Sequence, residues 1–142
     1  LEHRCVVVCA GGGGVPTCRA DSGDLVGVEA VIDKDHASGL LARDLEADRL
    51  LLATDAEAAC VGVGTPGQRR IGRAHPDALL TGHRHEFAAG SMLPKVEAAC
   101  RFASATGGRA WIGSLDGIGR ALAGTDGTVI STDFDGVELA EA

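Results

Sequence analysis

Tyrosine and asparagine are missing from this chain altogether, and its 142 residues include one tryptophan, one methionine and three phenylalanines. Without asparagine there is no N-glycosylation acceptor. With so few rings, alanine, glycine and valine must build the interior, which suits close packing of helices on a sheet. No apolar run approaches membrane-spanning length. The opening Leu1-Glu2-His3-Arg4 lacks the form of a signal peptide and leads straight into an apolar run, as expected of the remainder of a longer chain. The five cysteines form no CxxC pair, are odd in number, and mostly stand among apolar residues. They read as small buried hydrophobes of a reducing compartment, here the cytoplasm. No Gly-Lys-Ser/Thr follows a glycine loop, so a phosphate site in this chain is not of the P-loop kind. The formal net charge is −7 and no basic run exists, which argues against nucleic acid or an anionic membrane as partner. A nucleotide remains admissible, because it needs only a local positive pocket. Length and apolar content allow one domain with a real core.

Lysine is the scarcest cation. Eleven arginines stand against two lysines, Lys34 and Lys95. A lysine kept in such a background fits a need for a compact ammonium, a point charge able to follow a moving phosphoryl group. Lys34 lies where the apolar approach Val28, Ala30, Val31, Ile32 ends in Asp33-Lys34-Asp35 and a helical pattern begins. Backbone N–H groups are unpaired at such a junction and the helix dipole is positive there, which suits an anion, phosphate above all. The two carboxylates could orient Lys34 or hold back a second lysine. The simpler alternative is a solvated turn, with Asp33 or Asp35 as N-cap.

Residues 4–9 (RCVVVC) read as a buried strand. It breaks into Gly11, Gly12, Gly13 and Gly14, which could form an anion nest or a plain flexible turn. A helix is expected over residues 35–47 and a second buried strand over 48–54, ending in Thr54-Asp55. Strand, helix, strand reads as a βαβ unit with a parallel sheet. Residues 60–74 read as a hairpin around Pro66-Gly67. Their G-x-G-x-x-G match is rejected as a dinucleotide motif, because Pro66 interrupts it and no helix follows. A short helix follows over 75–82. His83, His85 and Glu86 could suggest a metal site, but they sit in a loop without a neighbouring cysteine, and no metal is assigned. Pro94 opens a helix to Thr106, stopped by Gly107-Gly108, which puts Lys95 in its first turn. A third core strand (109–115), a short helix capped by Asp116 and a last strand (127–131) follow. Residues 132–142 read as a loose acidic tail.

The segments GGGGVP (11–16), GVEAVIDKD (27–35), Thr54-Asp55 and FAAGSMLPKVEAA (87–99) together resemble the carbamate kinases of the amino acid kinase superfamily. The resemblance runs from Cys5 to Ser131 and covers only the C-terminal half of such an enzyme, so residues 1–131 would be its nucleotide-binding lobe. The preceding half, with its own glycine loop, catalytic lysine and lid, has no counterpart here. Uridylate, acetylglutamate and glutamate kinases compete within the superfamily, but IDKD and GSMxPK favour carbamate. His36 stands where an apolar residue is usual, and Leu93 replaces a glycine in GSMGPK.

The resemblance implies an α/β fold, a three-layer αβα sandwich with a mainly parallel sheet plus a β-hairpin. It implies reversible phosphoryl transfer between ATP and carbamate, run towards ATP in arginine breakdown. Lys34 would contact the transferring phosphoryl group and Lys95 the nucleotide phosphates. Asp35 would orient the lysines and Asp33 help hold the network. Gly11, Gly12, Gly13 and Gly14 would approach the acceptor, while Thr54, Asp55, Gly90, Ser91 and Met92 would line the ATP site. Mg²⁺ would arrive on ATP or ADP, and carbamate or carbamoyl phosphate would be the partner substrate. The complete protein would pair as a homodimer. An alternative is a catalytically incomplete fragment that binds ATP without turnover.

Overall fold

The computed structural model describes residues 5–9 and 11–141. A short antiparallel pair, β1 (Thr17–Arg19) and β2 (Leu25–Gly27), precedes the main body. Helix α1 (Lys34–Asp44) leads into β3 (Arg49–Thr54), and the hairpin β4 (Cys60–Val61) and β5 (Arg69–Ala74) follows. Two helices come next, α2 (Pro76–His83) and α3 (Met92–Thr106), joined by a single 3-10 turn. Then come β6 (Arg109–Ser114), α4 (Ile118–Leu122), β7 (Thr128–Ile130) and β8 (Val137–Glu141).

Local chemistry sets the helix ends. Asp33 caps α1, Pro76 occupies the first turn of α2 behind an N-cap His75, and Gly107 closes α3 in the left-handed region at φ 70°. Asp116 caps nothing: it lies in a 3-10 turn ahead of α4, whose N-cap position is Gly117, without a side-chain bond.

The strands from β3 onward form one sheet in the order β3-β6-β7-β5-β4, with β8 also on β5. Only β3–β6 and β5–β7 run parallel; β6–β7, β4–β5 and β5–β8 are antiparallel. The sheet is therefore mixed, not mainly parallel, because α4 leads straight into a return strand instead of a long crossover. Along β6, Ala110 and Ile112 enter the main core while Trp111 turns to the other face, where its indole N–H donates to Asp126 O at 2.6 Å. The core side is covered by α3, whose Val96, Ala99, Cys100, Phe102 and Ala103 meet Leu50, Leu52, Ile71 and Ile130. The five-residue α4 packs against β6. Thr128, fully buried, donates to Ile71 O at 2.6 Å and accepts from Ala59 N at 2.9 Å, joining β7 to β5 and to the approach to β4.

Three expectations are corrected. Cys5–Cys9 forms no strand, and Val6 and Val8 are more than nine-tenths exposed. A strand needs ladder partners, and the outer edge of β3 carries none among the described residues. Nor do residues 28–32 form a strand, so no βαβ unit surrounds α1; the parallel partner of β3 is β6, reached through α2 and α3. The tail is not loose, because Val137–Glu141 pairs with β5. Val137 and Leu139 alternate inward, and Phe134 is held by Arg73 and Arg109, 5.7 and 5.9 Å from its ring centre. The cysteines also divide: Cys100 is buried and Cys60 partly so, but Cys5, Cys9 and Cys18 are exposed.

Candidate functional site

Helix α1 precedes β3 and α3 precedes β6, and these two strands run parallel with Thr54 opposite Ser114. Each helix runs back along its strand, so both helix N-termini lie beside the strands' carboxyl ends. Crevices at that edge are where open α/β sheets bind ligands, and two helix starts add positive potential to it.

Asp33 Oδ1 accepts from the backbone N–H of Asp35 at 2.8 Å and of His36 at 3.1 Å. Burial pulls its carboxyl upward, but the two N–H bonds and the charges of His36 and Lys34 outweigh it and hold the pKa below the ordinary value. Asp33 is thus ionised and engaged by its own helix. Asp35 faces the other way. Its Oδ2 accepts from Lys95 Nζ at 2.8 Å and lies 3.5 Å from Lys34 Nζ. One buried carboxylate therefore holds an ammonium from each helix start. The two lysines differ in setting. Lys95 is 8% exposed, while the Lys34 side chain is 65% exposed.

A cleft of about 360 Å³ opens beside this group, lined by Gly11, Gly12, Lys34, Asp35, Ser38 and Ala53 among others. Gly13 is turned away from it. A side chain there would collide with the Ile32 backbone, so glycine is required for that close approach. A side chain added at Gly14 would meet nothing within 4 Å, although its φ of 93° favours glycine. Thr54 and Asp55 stand at the same sheet edge, bonded to each other at 3.0 Å. Gly90 and Ser91 precede α3 and Met92 begins it; Ser91 makes no side-chain cap and donates its N–H to Ala88 O at 3.2 Å. None of these five lines the cleft.

His83, His85 and Glu86 serve another end. Glu86 bonds His83 Nδ1 at 2.7 Å and accepts from Gly62 N–H at 2.9 Å, tying the turn after α2 to the hairpin. The His83 bond first, then the Gly62 N–H, hold the Glu86 carboxyl below its usual range. Among the described residues no three His, Cys, Asp or Glu side chains gather as a metal cage would.

Sequence reasoning missed Glu97 and Arg84. The Arg84 guanidinium donates twice to Glu97 Oε1, at 3.0 and 2.7 Å, and Glu97 Oε2 lies 3.6 Å from His36 Nε2. The only signal available was position, since Glu97 follows Lys95 by two residues and His36 follows Asp35 by one.

The family model described as the amino acid kinase family matches residues 1–114. The chain belongs to that family. It is 52% identical over 139 residues to carbamate kinase of Rhizobium meliloti (strain 1021), covering 96% of this chain and 42% of that protein. To carbamate kinase of Haemophilus influenzae it is 47% identical over 137 residues, again 96% of this chain and 43% of the relative. Among solved structures it is similar to carbamate kinase from Giardia lamblia bound to AMP-PNP, with a TM-score of 0.79 at 42% identity, over 85% of this chain and 42% of that one. UMP kinase from Bacillus anthracis, 17% identical with a TM-score of 0.59, shares the fold alone. The family member described here thus spans about two fifths of the length of the carbamate kinases it matches. Among the described residues no helix is long and apolar enough to cross a membrane.

Proposed function

We propose that this chain is the nucleotide-binding part of a carbamate kinase, its phosphate site built round Asp35. The observation that carries this is the shared carboxylate, 2.8 Å from Lys95 Nζ and 3.5 Å from Lys34 Nζ at two helix starts. In the direction of ATP synthesis, the bond between phosphorus and the carbamate oxygen of carbamoyl phosphate breaks and a bond to the terminal phosphate oxygen of ADP forms. Such a transfer asks mainly for in-line placement and for cations round a spreading negative charge. Lys95, buried and fixed by Asp35, suits a stationary charge on the nucleotide phosphates. Lys34, exposed and only loosely held, suits a charge that moves with the transferring group. Asp33 keeps the start of α1 formed, and Gly11 and Gly12 let backbone approach the acceptor. Thr54, Asp55 and Gly90, Ser91 and Met92 border the same edge, where the rest of a nucleotide would extend.

Mg²⁺ fits this chemistry as a passenger on the nucleotide. The nearby carboxylates are engaged, Asp33 by its helix, Asp35 by two lysines and Asp55 by Thr54, so phosphate oxygens and water would supply its ligands. Bound there, it would neutralise phosphate charge. The remaining three fifths of the relatives' length would extend the sheet from the free edge of β3 into a three-layer sandwich, cover the apolar segment 5–9, bring the carbamate lid and pair as a homodimer, in the cytoplasm.

The partial span favours a second reading, in which this polypeptide binds ATP without turning it over. One assay separates them: purified chain with ADP, Mg²⁺ and carbamoyl phosphate, ATP followed by luminescence. Turnover by the chain alone rejects the binding-only reading. Saturable nucleotide binding without turnover supports it. Absence of any nucleotide binding rejects both.

A further inference from the structure

Thr54 ends β3 opposite Ser114 of β6, and Thr128 opens β7 opposite Ile112 of β6, so these three strand ends share the edge that carries the two lysines. Residues 55–59 cross this edge on their way from β3 to the hairpin. They pass over β6, where a side chain added at Gly113 would stand 3.0 Å from Glu57 O. They then reach β5, where Ala59 O accepts from Ile71 N–H at 2.9 Å. The cleft beside Gly11 and Gly12 lies in the other direction, against β3 and α1. If the acceptor takes that cleft and the phosphates sit on Lys34 and Lys95, the nucleoside end of the nucleotide is left to the side where residues 55–59 cross.

Two side chains from outside this segment hold it. Arg70 pairs with Glu57, but both are solvent-exposed, where an ion pair contributes little. Thr128 is the firmer hold. It is fully buried, and so is Ala59. The Ala59 N–H finds no carbonyl among the described residues and donates instead to Thr128 Oγ1 at 2.9 Å. The same hydroxyl gives its own proton to Ile71 O at 2.6 Å. It is donor and acceptor at once, on a β-branched side chain with few rotamers open to it. A buried N–H left without an acceptor is costly, so loss of this oxygen favours displacement of Ala59 and of the segment that ends on it.

We propose that Thr128 is a positioning residue, whose hydroxyl fixes residues 55–59 at the sheet edge and so shapes the nucleoside side of the nucleotide site. The inference rests on the nucleotide-phosphate reading of Lys34 and Lys95. The two sides of the site have separate supports. Lys34, Asp35 and Lys95 stand on α1 and α3 and hold one another. Residues 55–59 are held to β5 and β7 through Thr128. Removing the hydroxyl therefore disturbs the nucleoside side and leaves the ammonium pair in place.

Two probes that differ only in the nucleoside part test this on the chain: Mg²⁺–AMP-PNP and Mg²⁺–tripolyphosphate, each titrated by calorimetry. Thr128→Val keeps the shape and removes the hydroxyl. It is expected to weaken AMP-PNP binding at least fivefold and to leave tripolyphosphate binding within twofold of the wild type. Thr128→Ser keeps the hydroxyl and is expected to bind both probes as the wild type does. If Thr128→Val does not fold, Thr128→Cys takes its place with the same split expected, because a thiol is a weak hydrogen-bond partner. Equal weakening of both probes means a merely structural role and overturns the inference, as does no weakening of either. A serine variant that behaves like the valine one overturns it too, since the hydroxyl would then not be what matters. A wild type that binds tripolyphosphate as tightly as AMP-PNP has no nucleoside side to shape, and the inference fails while the phosphate site stands. A wild type that binds neither probe ends the phosphate reading itself, and this inference with it.

Discussion

The segment before α1 and the pair formed by α3 and β6 are both apolar, yet they end in opposite environments. Val6, Val8 and Val31 are almost wholly exposed, whereas Val96, Phe102 and Ile112 are buried. Propensity does not separate them, since RCVVVC is as strand-like as RAWIGS. What differs is partners. β6 has β3 on one side, β7 on the other, and α3 across its face. The early segment pairs with no strand among the described residues, and the outer edge of β3 carries none there. Apolar sequence supplies a demand for burial, and neighbouring elements decide whether it is met.

The contrast can be broken most strongly at its buried end. Phe102→Ala is expected to cost about 4 kcal/mol of stability, measured by denaturant unfolding, because the ring is fully enclosed and its cavity has little room to collapse. Lys95→Ala follows, at about 3 kcal/mol, because it takes from the buried Asp35 carboxylate the nearer and better enclosed of its two ammonium partners. In an active complete enzyme it is also expected to lower turnover by orders of magnitude. Lys34→Ala serves as its control, with a stability change within about 0.5 kcal/mol at an exposed position.

Cys100 sharpens the comparison through its thiol. Burial first, then Asp77 and Glu97, push its pKa from 9.0 up to about 12. Its contribution to stability is complete below pH 9 and is lost as pH rises from there towards 12. At pH 8, alkylation of the folded chain should label Cys9 and Cys18 within minutes and spare Cys100 until denaturant is added. Asp33→Ala removes the α1 cap and should cost about 1 kcal/mol. Because the Asp33 carboxyl is held below its ordinary 3.8, that contribution is present above pH 3.8 and disappears as pH falls through the lowered value. The smallest effect is expected at the exposed end, where Val7→Ser should change stability by less than about 0.5 kcal/mol.

The features readable from the sequence are those written within a few residues. The Asp33 cap, Pro76 in the first turn of α2, the hairpin round Pro66-Gly67 and the Gly107 stop all depend on local backbone chemistry, and all are formed. Because those signals place Lys34 and Lys95 in first turns, their shared helix-start setting was legible too. Burial was not. Lysine is usually exposed, and only the Asp35 partnership explains a buried Lys95. The acidic composition of the tail masked the alternation of Val137 and Leu139 that makes β8 a strand. The Arg84–Glu97–His36 contacts depend on how α1, α3 and the turn after α2 dock, which no local pattern encodes.

The most direct test of a phosphate site at two joined helix starts is calorimetric titration of Mg²⁺–AMP-PNP into the chain and into Lys34→Ala. Lys34 is chosen because its loss leaves the fold intact. Saturable binding by the wild type, weakened at least tenfold in the variant, is the predicted result. Equal affinities in the two proteins would contradict it.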